Sequence, residues 1–182
     1  MKRALRAPTT IGRPELLIDG SDDAFRELVH DLFALGTRHE RIRSGHAARI
    51  GLSSAGYTVL IAVAHLATNG SVLTKDIAEH LHVTNAFVTM ETTKLVQSGL
   101  LTKLRSAHDS RVVEISLTEQ GRDLLDRLAP TQRRVNDQQF AELTAEEFGE
   151  LRRLVRLLIE NSDRAVALQT YLAATEPGLS HD

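Results

Sequence analysis

The chain has 182 residues, 42% of them apolar, and a formal net charge of −2. That length allows one core or two closely joined ones, and the near-neutral balance excludes a nucleic-acid binder that works by bulk basicity. With no cysteine, a disulfide framework, a thiolate zinc site and a thiol redox sensor are excluded together.

The opening stretch MKRALRAPTTIGRPELL brings early positive charge without the ~7–15-residue apolar core of a secretory signal. No run reaches the roughly 18 apolar residues of a membrane span, so the reading is a soluble chain with no membrane partner. Residues 1–20, with Pro8, Pro14 and the scattered Lys2, Arg3, Arg6 and Arg13, read as a flexible arm. Ser21 supplies a cap oxygen ahead of the acidic DDAF, which predicts a helix start. Phe25, Leu28, Leu32, Phe33 and Leu35 continue it as an apolar stripe over the segment 21–50.

Residues 51–128 change character several times. LSSAGYTVLIAVAHLATNG has Ser53 or Ser54 as cap, an apolar run of helix length and Asn69-Gly70 as a stop. A short helix is expected from Thr74 and a second from Thr84, closed by Gly99; joined by HLHVT, they form a helix-turn-helix pattern. LLTKLR and RVVEISL alternate as strands do, with the polar SAHDS as a hairpin tip. Thr118 then caps a helix carrying Leu124, Leu125 and Leu128 on one face, and Pro130 bends it or marks a boundary.

In residues 129–175, Thr144 and Glu147 make a capping box. The helix behind them carries Phe148, Leu151, Leu154, Val155, Leu158 and Ile159, with Leu157 widening the apolar face. A face that wide asks for more than one neighbour. The first and last helices are therefore read as a dimerisation layer, against the alternative of a monomeric helical core, and residues 176–182 as a tail.

Helix, helix, hairpin, helix is the order of a winged helix-turn-helix, and the fold class expected is mainly α, with a two-stranded wing and a helical dimerisation layer formed by the N- and C-terminal helices. Over LTKDIAEHLHVTNAFVTMETTKLVQSGLLTKLRSAHDSRVVEISLTEQGRDLLDRL the chain resembles the MarR family of transcriptional regulators, most specifically in Asp109-x-Arg111 followed by Leu117-Thr118-x-x-Gly121. The resemblance covers roughly residues 53–128 closely and the flanking helices in layout. It implies a cytoplasmic homodimer that binds double-stranded DNA at a pseudo-palindromic operator, as a ligand-responsive repressor without a cofactor.

In that setting the wing must hold a cation in a fixed direction to enter a minor groove. Asp109 orients Arg111, or braces the loop, through a planar carboxylate–guanidinium pair; the alternative is that the two merely close a turn. Counting about 100° per residue, Val88, Thr92 and Leu95 point inward from the helix after Thr84. Asn85, Ala86, Thr89, Met90 and Thr93 face outward or flank that direction as groove candidates: asparagine suits adenine, and Ala, Thr and Met suit a thymine methyl. Thr84 and the first helix amides are set for phosphate. Further phosphate contacts are expected from Lys75, Lys94, Lys103, Arg105 and Arg122, each of which taken singly is as readily a solvated charge.

The helix departs from the family's usual pattern by carrying Met90 and a single Lys94 where arginines are usual, and Glu91 where an apolar residue is usual. An A/T-weighted, shape-dependent operator is expected from this.

Regulators this chain resembles bind small aromatic acids, phenols or similar ligands between the dimer layer and the winged domain. Arg38, Arg41 and His46 in TRHERIRSGHAARIGL, with Phe33 and Tyr57, would suit an aromatic acid or its coenzyme A thioester. The alternative is a solvated helix end. Some relatives sense zinc, but His80 and His82 diverge by about 200° on a helix and no tight ligand spacing occurs, so no metal site is assigned. Absence of a Walker loop, a dinucleotide fingerprint, HExxH and GxSxG argues against an enzyme. The rival readings are a helical homodimeric interaction module without specific DNA reading and a metal-responsive regulator.

Overall fold

The turn that carries the fold is Leu117-Thr118-Glu119. Thr118 Oγ1 donates to the carbonyls of Gly99 (2.7 Å) and Leu100 (3.1 Å) and accepts from the Gly121 amide (2.9 Å). One hydroxyl thus joins the end of one helix to the start of another. Gly121 sits where an added Cβ would collide with the Leu100 carbonyl. Only glycine lets the helix pass that close to the strand's approach.

The computed structural model describes residues 8–67, 70–105, 113–176 and 178. Its elements run α1 (Asp23–Arg49), α2 (Ser54–Leu66), β1 (Val72–Leu73), α3 (Thr74–Leu81), α4 (Asn85–Gln97), β2 (Leu101–Arg105), β3 (Val113–Leu117), α5 (Glu119–Gln139) and α6 (Ala145–Thr175). The helices expected from capping and periodicity are there. Ser53 caps α2 by accepting from Gly56 N–H, Thr84 caps α4 through Phe87 N–H, and Thr144 with Glu147 forms the complete capping box of α6. Gly99, at φ +75°, follows the Ser98 C-cap of α4 in the left-handed conformation that ends helices.

The sheet differs from the two-stranded expectation. It has three antiparallel strands in the order β1-β3-β2. Val72 pairs with Ile115 and Leu73 with Glu114, while β2 pairs with β3 from Leu101↔Leu117 to Arg105↔Val113. Two residues are too few to show alternation, which is why β1 leaves no signal in the sequence.

Asp22 holds the N-cap position of α1 without a side-chain cap bond, Ser21 Oγ accepts from the Asp23 amide at 3.1 Å as the sequence led one to expect, and the Asp22 carboxylate is used sideways. Asp22 Oδ2 accepts from Thr10 N–H (2.7 Å), Thr10 Oγ1 (3.0 Å) and Arg26 Nε (3.0 Å). Arg26 also donates to the Pro8 carbonyl. The stretch read as a flexible arm is therefore bonded to α1 at Pro8 and Thr10, and it contains a 3-10 turn at Pro14–Leu16. Pro130 lies within α5, which continues through it to Gln139.

The chain divides into two units, Met1–Val135 and Asn136–Asp182. In the first, Leu60, Val63, Ile77, Val88, Leu95 and Ile115 form a core in which α2, α3, α4 and the sheet meet. A smaller cluster of Ala47, Tyr57 and Leu128 joins α1, α2 and α5. The second unit holds α6, exposed along its whole length, with Phe140 edge-on to Phe148 (6.4 Å between centroids) at its start.

Candidate nucleic-acid interface

The inner side of α4 is fixed by burial: Val88 and Thr92 are fully buried and Leu95 nearly so. Thr92 Oγ1 donates to the Val88 carbonyl at 2.7 Å, so its hydroxyl is satisfied inside the helix rather than in the core. The outer side is open. Asn85, Ala86, Thr89, Met90 and Thr93 are all exposed, as is the cap Thr84. Val83, Met90 and Leu104 are large apolar groups left in solvent around this face.

The two lysines nearest this face are held in different ways. Lys94 Nζ donates to Glu91 Oε1 at 2.6 Å, and the Glu91 side chain is only 3% exposed. Lys103 reaches from β2 across α4, donating to Thr93 Oγ1 (3.0 Å) and the Thr89 carbonyl (3.4 Å). Partial burial pushes the Lys103 ammonium pKa down. Lys75 is exposed near the start of α3, and Arg122 donates to the Leu117 carbonyl at 3.1 Å. Arg105 ends β2. Asp109 and Arg111, and Asn69 before the sheet, lie outside the described residues.

The residues read as an effector site do not come together as one group. His46 and Tyr57 do, with ring centroids 6.0 Å apart, and Gln132 Nε2 of α5 donates to the Tyr57 hydroxyl at 2.7 Å. Burial raises the Tyr57 pKa, partly offset by that hydrogen bond and by the nearby Arg43 charge. Phe33, 78% exposed, lies 13 positions before His46, about 20 Å along α1 at 1.5 Å per residue. Arg38 bonds its own helix at the Ala34 carbonyl (3.0 Å), and Arg41 is exposed.

Sequence reasoning missed Gln132, whose partner is 75 positions away. It also missed a cleft of about 360 Å³ between α1 and α5, lined by Arg49, Ile50, Leu124, Arg127 and Leu128. Its lining joins two arginines, of which Arg127 donates through Nε to the Asp123 carbonyl (3.3 Å), to three apolar side chains. Among the described residues no three His, Asp or Glu side chains stand ready to hold a metal ion, though His65 and His80 meet across α2 and α3 at 5.4 Å. No single helix among them is long and apolar enough to cross a membrane.

A helix pair with its second helix exposed on one side, a three-stranded wing sheet and a following helix define a winged-helix protein. Residues 43–128 match the family model of the transcriptional regulator SarA/Rot. Solved structures of the same fold include a mutant MarR from E. coli in complex with operator DNA, at 18% identity over 75% of this chain and 96% of that one (TM-score 0.63). The organohalide-sensing regulator RdhR in its 2,4-dichlorophenol-bound form is 19% identical over 88% and 89% (TM-score 0.62). Bordetella bronchiseptica BpsR, whose DNA binding is regulated by 6-hydroxynicotinic acid, is 23% identical over 72% and 98% (TM-score 0.60). No curated protein matches the sequence. The chain thus has the winged-helix fold of these regulators, and residues 43–128 carry the match to the SarA/Rot family model.

Proposed function

We propose that the protein is a cytoplasmic homodimeric repressor that holds a pseudo-palindromic operator until a small aromatic ligand binds. The observation that carries DNA reading is α4 itself. Its inner residues are locked into the core while Asn85, Ala86, Thr89, Met90 and Thr93 are exposed on the second helix of the helix-turn-helix, the element that enters a major groove in proteins built this way. Thr84 and the first amides of α4 take phosphate, Lys75 and Arg105 extend the backbone contact, and Arg111, aimed by Asp109, enters the flanking minor groove.

The dimer follows from α6 and α1. Leu151, Leu154, Val155, Leu158 and Ile159 of α6 are each 37–47% exposed, and Leu28, Leu32 and Phe33 of α1 are 43–78% exposed. Exposed apolar stripes of this kind, taken on each helix by itself, mark interaction sites, and a second copy is the partner that two-fold operators require. Half-sites then lie about one helical turn, roughly 34–36 Å, or a small multiple apart.

The effector reading rests on the cleft between Arg49 and Arg127 and the adjoining His46, Tyr57 and Gln132. An aromatic acid places its carboxylate between the guanidiniums and its ring on Ile50, Leu124 and Leu128; a thioester of the same acid is the larger variant. Release of DNA requires that the ligand bind the off-state dimer more tightly than the DNA-bound one.

Selection of bound duplexes from a random pool tests the DNA reading. The wild type enriches a pseudo-palindrome and an Arg111→Ala variant, still dimeric, does not. Failure to enrich any sequence with or without aromatic acids would favour a helical interaction module instead.

A further inference from the structure

Around α4, at about 100° per residue, Ala86, Met90, Thr93 and Gln97 run down the middle of the outward face. Thr89 lies on one flank and Lys94 on the other. Each flank has one lysine, and the two differ in what holds them.

Lys94 is committed to Glu91. The carboxylate is buried, its Oε1 takes the lysine at 2.6 Å, and its Oε2 is buried without a hydrogen-bond partner. That second oxygen faces Gly56 in the first turn of α2, 3.7 Å from where a Cβ would stand. An exposed ion pair restrains a lysine weakly. Here, moving the ammonium to a phosphate would leave a buried charge without its cation, and breaking such a pair is strongly unfavourable.

Lys103 has the opposite setting. Its ammonium lies against Thr89 and Thr93, bonded to neutral oxygens only, and among the described residues it has no carboxylate partner. The Thr93 hydroxyl donates to the Thr89 carbonyl at 2.7 Å, which leaves its lone pairs aimed at Lys103. Two of the three N–H groups are thereby oriented, and the third is available. A partly desolvated cation with no anion among the described residues, fixed on the exposed side of a reading helix, gains most from an electronegative partner brought by a ligand.

We propose that Lys103, delivered from strand β2, is the cation that the reading face of α4 presents to DNA, and that Glu91 withholds Lys94 from it. The inference rests on the DNA-reading function proposed above. The group met is a phosphate oxygen or the O6/N7 edge of guanine, which share the chemistry of a concentrated acceptor. In the second case the expected A/T weighting has one G·C exception per half-site.

The test is the salt dependence of binding by the full chain to the duplex that the wild type selects, together with the sequences that each variant selects. Lys103→Ala either lowers the log–log salt slope by about 2 per dimer, at roughly 0.9 per lost phosphate, or relaxes one G·C position in each half-site at unchanged selection elsewhere. Both results support the proposal and tell the two acceptors apart. Lys94→Ala leaves slope and selected sequence unchanged. Glu91→Gln frees Lys94 and steepens the slope, and the double variant Glu91→Gln, Lys94→Ala loses that gain; this arm serves if Lys94→Ala alone fails to fold.

The proposal is overturned if Lys94→Ala lowers the slope as much as Lys103→Ala does, or if Lys103→Ala changes neither slope nor sequence. An unchanged slope in Glu91→Gln overturns the withholding of Lys94. A wild type that binds no duplex even at low salt overturns the DNA-reading function and this inference with it.

Discussion

Gln132 Nε2 donates to the Tyr57 hydroxyl at 2.7 Å, tying the middle of α5 to the first turns of α2. Tyr57 also packs with Ala47 and Leu128, so three helices meet at one phenol. Two of these helices, α1 at its end and α5, also border the cleft proposed as the effector site.

The joint has a signature at high pH. Burial raises the Tyr57 pKa above its unfolded value near 10. The folded state therefore holds the phenol proton longer, so this contribution to stability is complete below about pH 10 and is lost as pH rises through the higher folded pKa. Unfolding free energy measured by urea titration should fall above pH 10 in the wild type and fall less in Tyr57→Phe. At neutral pH that variant leaves the Gln132 amide without its acceptor and should cost about 1 kcal/mol.

At the other end of the pH scale stands Asp22. The Thr10 amide, the Thr10 hydroxyl and Arg26 hold its carboxyl below the ordinary value, against the opposing effect of burial. A depressed folded pKa contributes stability above the unfolded value of about 3.9, lost as pH falls through the folded one. The protection factor of the Thr10 amide, its exchange rate set against that of the unfolded chain at the same pH, should fall on acidification below about pH 4. In Asp22→Asn the Thr10 amide should exchange fast at neutral pH already, and the acid step should vanish.

How far the sequence carried these features depends on the range of the interaction. Caps and helix faces are local: Ser53, Thr84 and Thr144 announce their helices within three positions, and Val88, Thr92 and Leu95 share an inward side by spacing alone. The expected outward set on α4 is exposed as a group for the same reason. Glu91, visible only as an odd acid where an apolar residue is usual, becomes the buried partner of Lys94 once α2 covers it. The Lys103–Thr93 contact and the Tyr57–Gln132 bond join elements that no periodicity relates, and Phe33, suited by type to an aromatic ligand, stands 13 positions before His46, about 20 Å along α1. β1 is two residues long and owes its strand conformation wholly to β3.

Gly121 shows how a motif residue acquires a physical reason. A Cβ there meets the Leu100 carbonyl and its carbon, with Leu117 Cδ2 at 3.1 Å. Backbone cannot step aside as a flexible side chain does, so Gly121→Ala should push α5 off the turn that Thr118 closes. A loss of about 1–3 kcal/mol, the range for overpacking, is expected in urea denaturation. DNA affinity should fall in parallel, because Leu100 leads into β2 and so to Lys103.

The proposed dimer rests on α6, which the single chain leaves exposed. From Ala145 to Thr175 none of α6 is buried, yet Phe148, Leu151, Val155 and Leu158 recur at the three- and four-residue steps that keep one side of a helix together. Intrahelical support is modest: Arg153 pairs with Glu150 at 2.7 Å on an exposed surface, a contact that adds little. Most helical stability in proteins comes from the packing of an amphipathic face rather than from propensity, and the proposed second chain would supply that packing. Leu151→Glu with Leu158→Glu places charges in that seam. Sedimentation equilibrium should show the wild type as a dimer at micromolar concentration and the double variant as a monomer with less helix by circular dichroism. Operator binding should drop sharply, since one reading head keeps only half of the contacts. A double variant that stays dimeric would move the interface off this face of α6.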